Sequence, residues 1–236
     1  MKRLAEESHN IREKNRLLST SNIKWERFPQ KIFIVHKETD LDFIKEKLEE
    51  LLVWLIDHWR QHSETLELIG VFPPVFKETL SLKSKKIQFY DCSTQIPNDI
   101  DLVVTLGGDG TVLLAAWLFQ EHVPPIIPFH FGTLGFLTIF NWENFSSRLS
   151  SIISSGSRFN TRLRLNCQVH KIKTETTLSY NVLNEIVVER GASPFMSILD
   201  FYGENKYLTK IQADGVAIAT PTGSTAYSVK HNFEQF

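Results

Sequence analysis

Apolar positions between residues 31 and 155 alternate between two patterns. Short, nearly unbroken apolar runs stand at Lys31-Ile-Phe-Ile-Val-His36, Leu66-Glu-Leu-Ile-Gly70, Ile87-Gln-Phe-Tyr90 and Leu102-Val-Val-Thr-Leu106. The first predicts a buried-type strand, and the others read as further strands. Between the first two, apolar residues fall at Leu41, Ile44, Leu48, Leu51, Leu52, Leu55, Ile56 and Trp59. Steps of three and four put them on one face of a helix. Thr39 is positioned to cap that helix, with Asp42 in its first turn. Pro73-Pro74 interrupts the chain before a short helix predicted at about 75–82. A further helix follows the glycine turn, Pro124-Pro-Ile-Ile-Pro-Phe129 leads to another strand, and a helix around 142–153 closes the series.

Strands alternating with helices predict a doubly wound, mainly parallel α/β domain over residues 31–156. Past Ser154-Ser-Gly-Ser157 the pattern changes. Arg162-Leu-Arg-Leu-Asn-Cys-Gln-Val169 alternates polar and apolar residues, as do parts of 178–189, 195–202 and 207–213. That is antiparallel composition, and it predicts an all-β, sandwich-type domain over 157–236. Residues 1–30 are polar and mixed in charge, and are expected to be a flexible tail.

Composition narrows the function classes. Net charge is −1, so no global positive field recruits nucleic acid or a membrane surface. No apolar stretch approaches the roughly 20 residues that span a bilayer. Cys92 and Cys167 are far apart and lack the neighbours of a zinc site, which favours a reducing compartment. A cytoplasmic protein is expected. A mitochondrial presequence is the alternative, weakened by Glu6, Glu7 and Glu13 among the tail's basic residues. His58 and His62 have helical metal-ligand spacing without a third ligand, so they read as a solvated face and no metal site is expected.

The sharpest chemistry lies at Gly107-Gly-Asp-Gly-Thr111, between a buried strand and a helix. Such a turn brings bare N–H groups to a helix N-terminus, where phosphate binds. Gly107, Gly108, Gly110 and Thr111 are therefore candidate phosphate contacts. An acid there would repel phosphate, so Asp109 is expected to take a proton from a hydroxyl or to hold a cation. The turn has neither the Lys-Ser/Thr ending of a P-loop nor Rossmann glycine spacing. Phe131-Gly-Thr-Leu-Gly-Phe-Leu137 is a second glycine pair after a strand, suited to walling a ligand or to core packing. Asn184-Glu185 interrupts an apolar strand and either faces solvent or binds a ligand. The segment from Asp214 to Ser228 ends a strand in a loop of small hydroxylated residues, Thr220 to Ser224, suited to phosphate or ribose; Tyr227 can stack on a base.

Residues 107–111, 134–136, 184–185, 190–194 and 214–228 together resemble, in that order, the ATP-NAD kinase family, and in detail its eukaryotic, fungal-like cytosolic members. Lipid kinases of the diacylglycerol type and phosphofructokinases share the glycine-aspartate turn alone, and a lipid or sugar kinase is one alternative. The resemblance implies an α/β domain and a β-sandwich domain with NAD between them. It implies ATP-dependent phosphorylation of the adenosine-ribose 2′-hydroxyl of NAD or NADH, with Mg²⁺ neutralising charge and Asp109 as general base. Gly110, Phe136, Asn184, Glu185, Asp214, Thr225, Ala226 and Tyr227 would contact NAD, Asn184 reading the adenine and Glu185 the ribose hydroxyls. A homo-oligomer is implied. The resemblance also implies sandwich strands beyond Ser228, which the residues up to Phe236 do not supply. A C-terminally truncated sandwich is therefore expected. The second alternative is a chain that binds nucleotide or a partner with little catalysis.

Overall fold

The structure, a computed structural model, describes residues 20–59, 67–70, 87–89 and 96–227. The described residues up to Thr161 form one compact unit and those from Arg162 a second. The helix expected at 75–82 and Cys92 lie outside the described residues.

Unit 1 is built on a six-stranded parallel sheet. Its strands are β2 (Lys31–His36), β3 (Glu67–Gly70), β4 (Ile87–Phe89), β5 (Leu102–Leu106), β6 (Ile126–His130) and β7 (Phe140–Asn141). Spatial order is β4-β3-β2-β5-β6-β7, with every adjacent pair parallel. Continuous apolar runs mark strands covered on both faces. Here Ile32, Ile34, Val104, Leu106 and Phe129 pack with α1 (Leu41–Trp59) and α3 (Phe145–Ser155). Phe33, Val35 and Val103 pack on the opposite side with Ala115 of α2 (Asp109–Leu118).

Helix α1 buries Ile44, Leu48, Leu51, Leu52 and Leu55 completely, the stripe its spacing predicts. Leu41 instead stands exposed in the first turn. Asp40, not Thr39, occupies the capping position: its carbonyl accepts the first helical bond from Ile44 N at 3.0 Å, and its φ is +56°. Residues 20–23, inside the segment expected to be a tail, form strand β1 (Thr20–Ile23), paired antiparallel with β8 (Ser157–Asn160). That pairing takes 157–160 into unit 1, although the change of pattern falls earlier.

Unit 2 holds the expected antiparallel strands as three two-stranded ladders. β9 (Leu165–Lys171) pairs with β10 (Thr176–Val182), β11 (Glu185–Glu189) with β14 (Gly215–Ala219), and β12 (Ser197–Gly203) with β13 (Lys206–Ala213). Among the described residues, buried apolar side chains all belong to unit 1, whereas Phe195, Ile198 and Leu208 of unit 2 are exposed.

Candidate active site

The chain moves outward from β2 through β3 to β4, then returns to place β5 on β2's other side. The β2/β5 boundary is thus the topological switch point, whose carboxyl ends form the ligand crevice of open α/β sheets. Lys37 N donates to Leu106 O at 2.9 Å, closing β2 against β5 there. The glycine turn starts at the residue that follows β5. Gly107 N donates to Phe129 O at 2.9 Å, so that N–H is spent on the sheet. Thr111 is buried with its hydroxyl against Gly107. Gly108 and Gly110 are exposed, and helix α2 begins at Asp109. Thr111 N donates to Gly108 O at 3.0 Å, which leaves the N–H groups of Asp109 and Gly110 at the helix start without intrahelical acceptors. Of the four candidate phosphate contacts, two face outward and two are absorbed by the fold.

Asp109 is held by the second glycine segment. Its Oδ2 accepts from Phe136 N at 2.8 Å. Its Oδ1 accepts from Leu137 N at 3.0 Å, Thr138 N at 3.1 Å and Thr138 Oγ1 at 3.0 Å. Gly135 N donates to Thr138 O at 3.3 Å, closing the segment on itself. Burial pushes the Asp109 carboxyl up, but the donors of Leu137, Phe136 and Thr138 outweigh it and hold the group below its ordinary value. The carboxylate stays ionised in neutral water, between the exposed Gly108 and Gly110. Phe136, expected at the site, is 75% exposed, and its neighbour Leu134 is exposed too. Asp109, Gly110 and Phe136 therefore come together in unit 1.

In unit 2, Asn184 and Glu185 stand where β11 begins, opposite Ala219 at the end of β14. Thr220 fastens the two segments. It is 1% exposed, its N donates to Asn184 O at 2.8 Å and its hydroxyl to Leu183 O at 2.6 Å. Gly223 lies against the Asn184 backbone, where any β-carbon would collide. One oxygen of Glu185, Oε2, is buried without a hydrogen-bond partner. Desolvation raises the Glu185 carboxyl above its usual range. The solvated-face reading thus fails for that oxygen. Thr225, Ala226 and Tyr227 follow the fastened turn, and Ala226 N donates to Gly223 O at 2.9 Å.

The loop hydroxyls differ from their sequence reading. Thr220 ties the backbone, Ser224 Oγ donates to Pro221 O at 2.8 Å, and Thr222 Oγ1 accepts from Arg162 at 3.3 Å. Ser224 serves the turn's own geometry, whereas Thr220 ties it to Leu183 and Thr222 to Arg162. Asp214 stands just past the other end of the β11–β14 ladder from Glu185, roughly 17 Å away along the strand. Its carboxylate accepts from Arg190 Nε at 2.7 Å, and Arg190 N donates to Asp214 O at 3.0 Å. Thr138, Thr220 and Arg190 are the residues sequence reasoning missed or misread. The signal for Arg190 was its place in a recurring motif. Thr138 gave none, since it reads as a packing residue.

Two family descriptions match the chain: the ATP-NAD kinase N-terminal domain over residues 32–157, and the ATP-NAD kinase C-terminal domain over residues 183–232. The NAD(+) kinase of Saccharomyces cerevisiae is 36% identical over 230 residues, which is 89% of this chain and 43% of that protein. The uncharacterized kinase C3H5.11 of Schizosaccharomyces pombe is 40% identical over 222 residues, 84% of this chain and 54% of that protein. The chain thus spans about half the length of these curated relatives. Among solved structures, yeast NADH kinase complexed with NADH superimposes with a TM-score of 0.72 at 30% identity, covering 91% of this chain and 67% of that one. An NAD kinase from Archaeoglobus fulgidus in complex with ATP gives 0.54 at 20% identity over 86% of this chain and 66% of that one, a likeness of fold.

Proposed function

The chain belongs to the ATP-NAD kinase family, and we propose that it transfers the γ-phosphoryl group of ATP to the adenosine-ribose 2′-hydroxyl of NAD or NADH. The observation that carries this reading is Asp109: an ionised carboxylate at the switch point, between the exposed Gly108 and Gly110. An acid in a phosphate-binding turn suits proton removal from a hydroxyl that attacks phosphorus.

In this reading the 2′-oxygen bonds to the γ-phosphorus as the bond to the β–γ bridging oxygen breaks. The hydroxyl proton passes to Asp109, and ADP leaves with the bridging electron pair. Oδ2 takes the proton, because it accepts one N–H and keeps a lone pair. Phosphoryl transfer depends on positioning and charge stabilisation, which one base and a set of backbone donors supply. The N–H groups of Gly108 and Gly110 face the phosphates. Gly107 and Thr111 shape the turn beneath. Phe136 offers an apolar wall.

Asn184 reads the adenine edge, Glu185 accepts from ribose hydroxyls, and Thr225, Ala226 and Tyr227 line the adenosine. The buried, unpartnered Oε2 of Glu185 supports this role, since a ribose hydroxyl supplies the missing donor. Asp214 contacts the dinucleotide farther along the ladder. No group of three or more His, Cys, Asp or Glu able to hold a metal stands among the described residues. In this reading Mg²⁺ enters as Mg·ATP, held mainly by substrate phosphates, as is usual for this ion. Self-association is part of the proposal, supported by the exposed Phe195, Ile198 and Leu208. So is cytoplasmic residence, supported by the free thiol of Cys167. Among the described residues no helix is long and apolar enough to cross a membrane.

The test is incubation of the purified chain with Mg·ATP and NAD, with NADP quantified. NADP formation that Asp109→Asn lowers by about 10³-fold or more supports the reading. No NADP from the unaltered chain, with NAD binding seen by calorimetry, would leave a nucleotide-binding protein without turnover. Phosphorylation of diacylglycerol but not NAD would move the chain to the lipid kinases.

A further inference from the structure

We propose that Thr138 is the positioning residue of Asp109, locking carboxylate oxygen Oδ1 so that Oδ2 alone is presented to the hydroxyl. The inference rests on the reading of Asp109 as the base.

The geometry separates the two oxygens. Oδ1 accepts three hydrogen bonds, from Leu137 N, Thr138 N and Thr138 Oγ1. Oδ2 accepts one, from Phe136 N. A carboxylate offers about two acceptor positions per oxygen, so Oδ1 is saturated and Oδ2 is not. Any residue at 136, 137 or 138 other than proline would supply the three N–H donors. The hydroxyl is the side-chain choice among the four.

Thr138 is 0% exposed, so its hydroxyl has exchanged water for this carboxylate. Facing an ionised acceptor, it must donate. A β-carbon at Gly135 would collide with both Asp109 Oδ1 and Thr138 Oγ1. Gly135, Thr138 and Asp109 thus meet at one point, and rotation of the carboxylate would break three bonds at once.

Few charges compete. Residues 131–139 contain no titratable side chain, and helix α2 contains none besides Asp109. At the end of β2, His36 is buried, and Lys37 lies beside Gly107 with its Nζ paired to Asp40 Oδ2 at 2.7 Å. At the end of β6 stands His130, buried. Burial and the opposing donors of residues 136–138 therefore set the ionisation of Asp109 between them.

The test uses the full chain with Thr138→Val, which removes the hydroxyl at nearly constant shape, and Thr138→Ser, which keeps it. The first readout needs no turnover: ¹³C titration of the Asp109 carboxyl, its resonance assigned by loss in Asp109→Asn. The second is the pH profile of NADP formation. In Thr138→Val the Asp109 midpoint rises and the acid limb of kcat/KM moves up with it. Its kcat falls about tenfold while KM for NAD stays within about twofold. Thr138→Ser returns both readouts to the wild-type values. If Thr138→Val fails to fold, the wild-type protein still decides. Its Thr138 hydroxyl proton exchanges slowly, and Asp109→Asn speeds that exchange. An unmoved midpoint in folded Thr138→Val, a serine variant behaving like valine, or fast hydroxyl exchange in the wild type overturns the proposal. Absence of NADP from the wild type with the midpoint shift intact sinks instead the base assignment beneath it.

Discussion

Gly135 approaches Asp109 so closely that a β-carbon on the glycine would enter the space of the aspartate's Oδ1. The neighbouring atoms cannot yield cheaply, because Oδ1 is fixed by Leu137 and Thr138 and Thr138 is fully buried. Gly135→Ala must therefore push the carboxylate out of its nest. Overpacking of this kind costs about 1–3 kcal/mol, and misplacing a catalytic group by about an ångström costs on the order of 10²-fold in rate. The expected result is a folded variant, lower in Tm, whose kcat for NADP formation drops by about that factor. Wild-type kinetics in Gly135→Ala would show that the carboxylate's position does not matter.

Glu185 makes the opposite trade. Its Oε2 is buried without a partner, and desolvation raises its carboxyl above the ordinary range. A folded pKa that is raised contributes stability below the unfolded value and loses it as pH rises through the folded one. At neutral pH the charge is a burden on the fold. Glu185→Gln removes the charge, so thermal stability should stay level or rise. NAD affinity should weaken by about tenfold or more as a charged acceptor for ribose is lost. Thermal shift and calorimetry read the two effects separately. A variant that loses stability and keeps affinity would make Glu185 a purely structural residue.

How much of this was legible depended on what kind of contact each residue makes. Lys31–His36 and Leu102–Leu106 announced themselves because burial on both faces leaves no polar position. Asp109 was legible because an acid among three glycines has no packing role. Thr138 was hidden: a β-branched residue between Leu137 and Ile139 looks like core, and its partner lies 29 residues away, in the turn after β5. Thr220 was seen but given the wrong direction, since an open turn and a fastened one share the same small hydroxylated residues. Strand β1 was missed because Thr-Ser-Asn-Ile is polar, and only its pairing with 157–160 makes it a strand. Asp214 and Glu185 each looked like site residues, but their separation follows from the register of β11 on β14.

The Arg190–Asp214 pair allows a structural role to be told from a binding one. The contact is 2.7 Å, but the Asp214 side chain is 77% exposed. Exposed ion pairs contribute about 0–1 kcal/mol. Asp214→Asn should thus leave Tm within a few degrees of wild type. If Asp214 lies along the dinucleotide, the same variant raises KM for NAD several-fold, an effect that Arg190→Gln shares only in part. Unchanged kinetics in Asp214→Asn would remove Asp214 from the site.

The hydrogen bonds on Asp109 also predict how the fold responds to acid. Its carboxyl is held below the ordinary value: burial raises it, and the donors of Leu137, Phe136 and Thr138 lower it further than burial raises it. A depressed folded pKa means that the unfolded chain binds the proton more readily. The group then contributes stability above the unfolded value, about 3.9 for aspartate. That contribution is lost as pH falls through the folded value. Asp109→Asn has no such titration, and its amide would oppose the N–H donors now facing Oδ1. The variant should be less stable at neutral pH by on the order of 2 kcal/mol, the scale of hydrogen bonds to a charged group. Between about pH 5 and 7 the gap in Tm should stay constant, because Asp109 is ionised in both folded and unfolded chains. Below about pH 4 the gap should narrow as the wild type alone loses its advantage. Thermal melts of both proteins over that range read the effect directly. Curves that stay parallel down to pH 3 would mean that the four donors do not hold the carboxylate in its charged form.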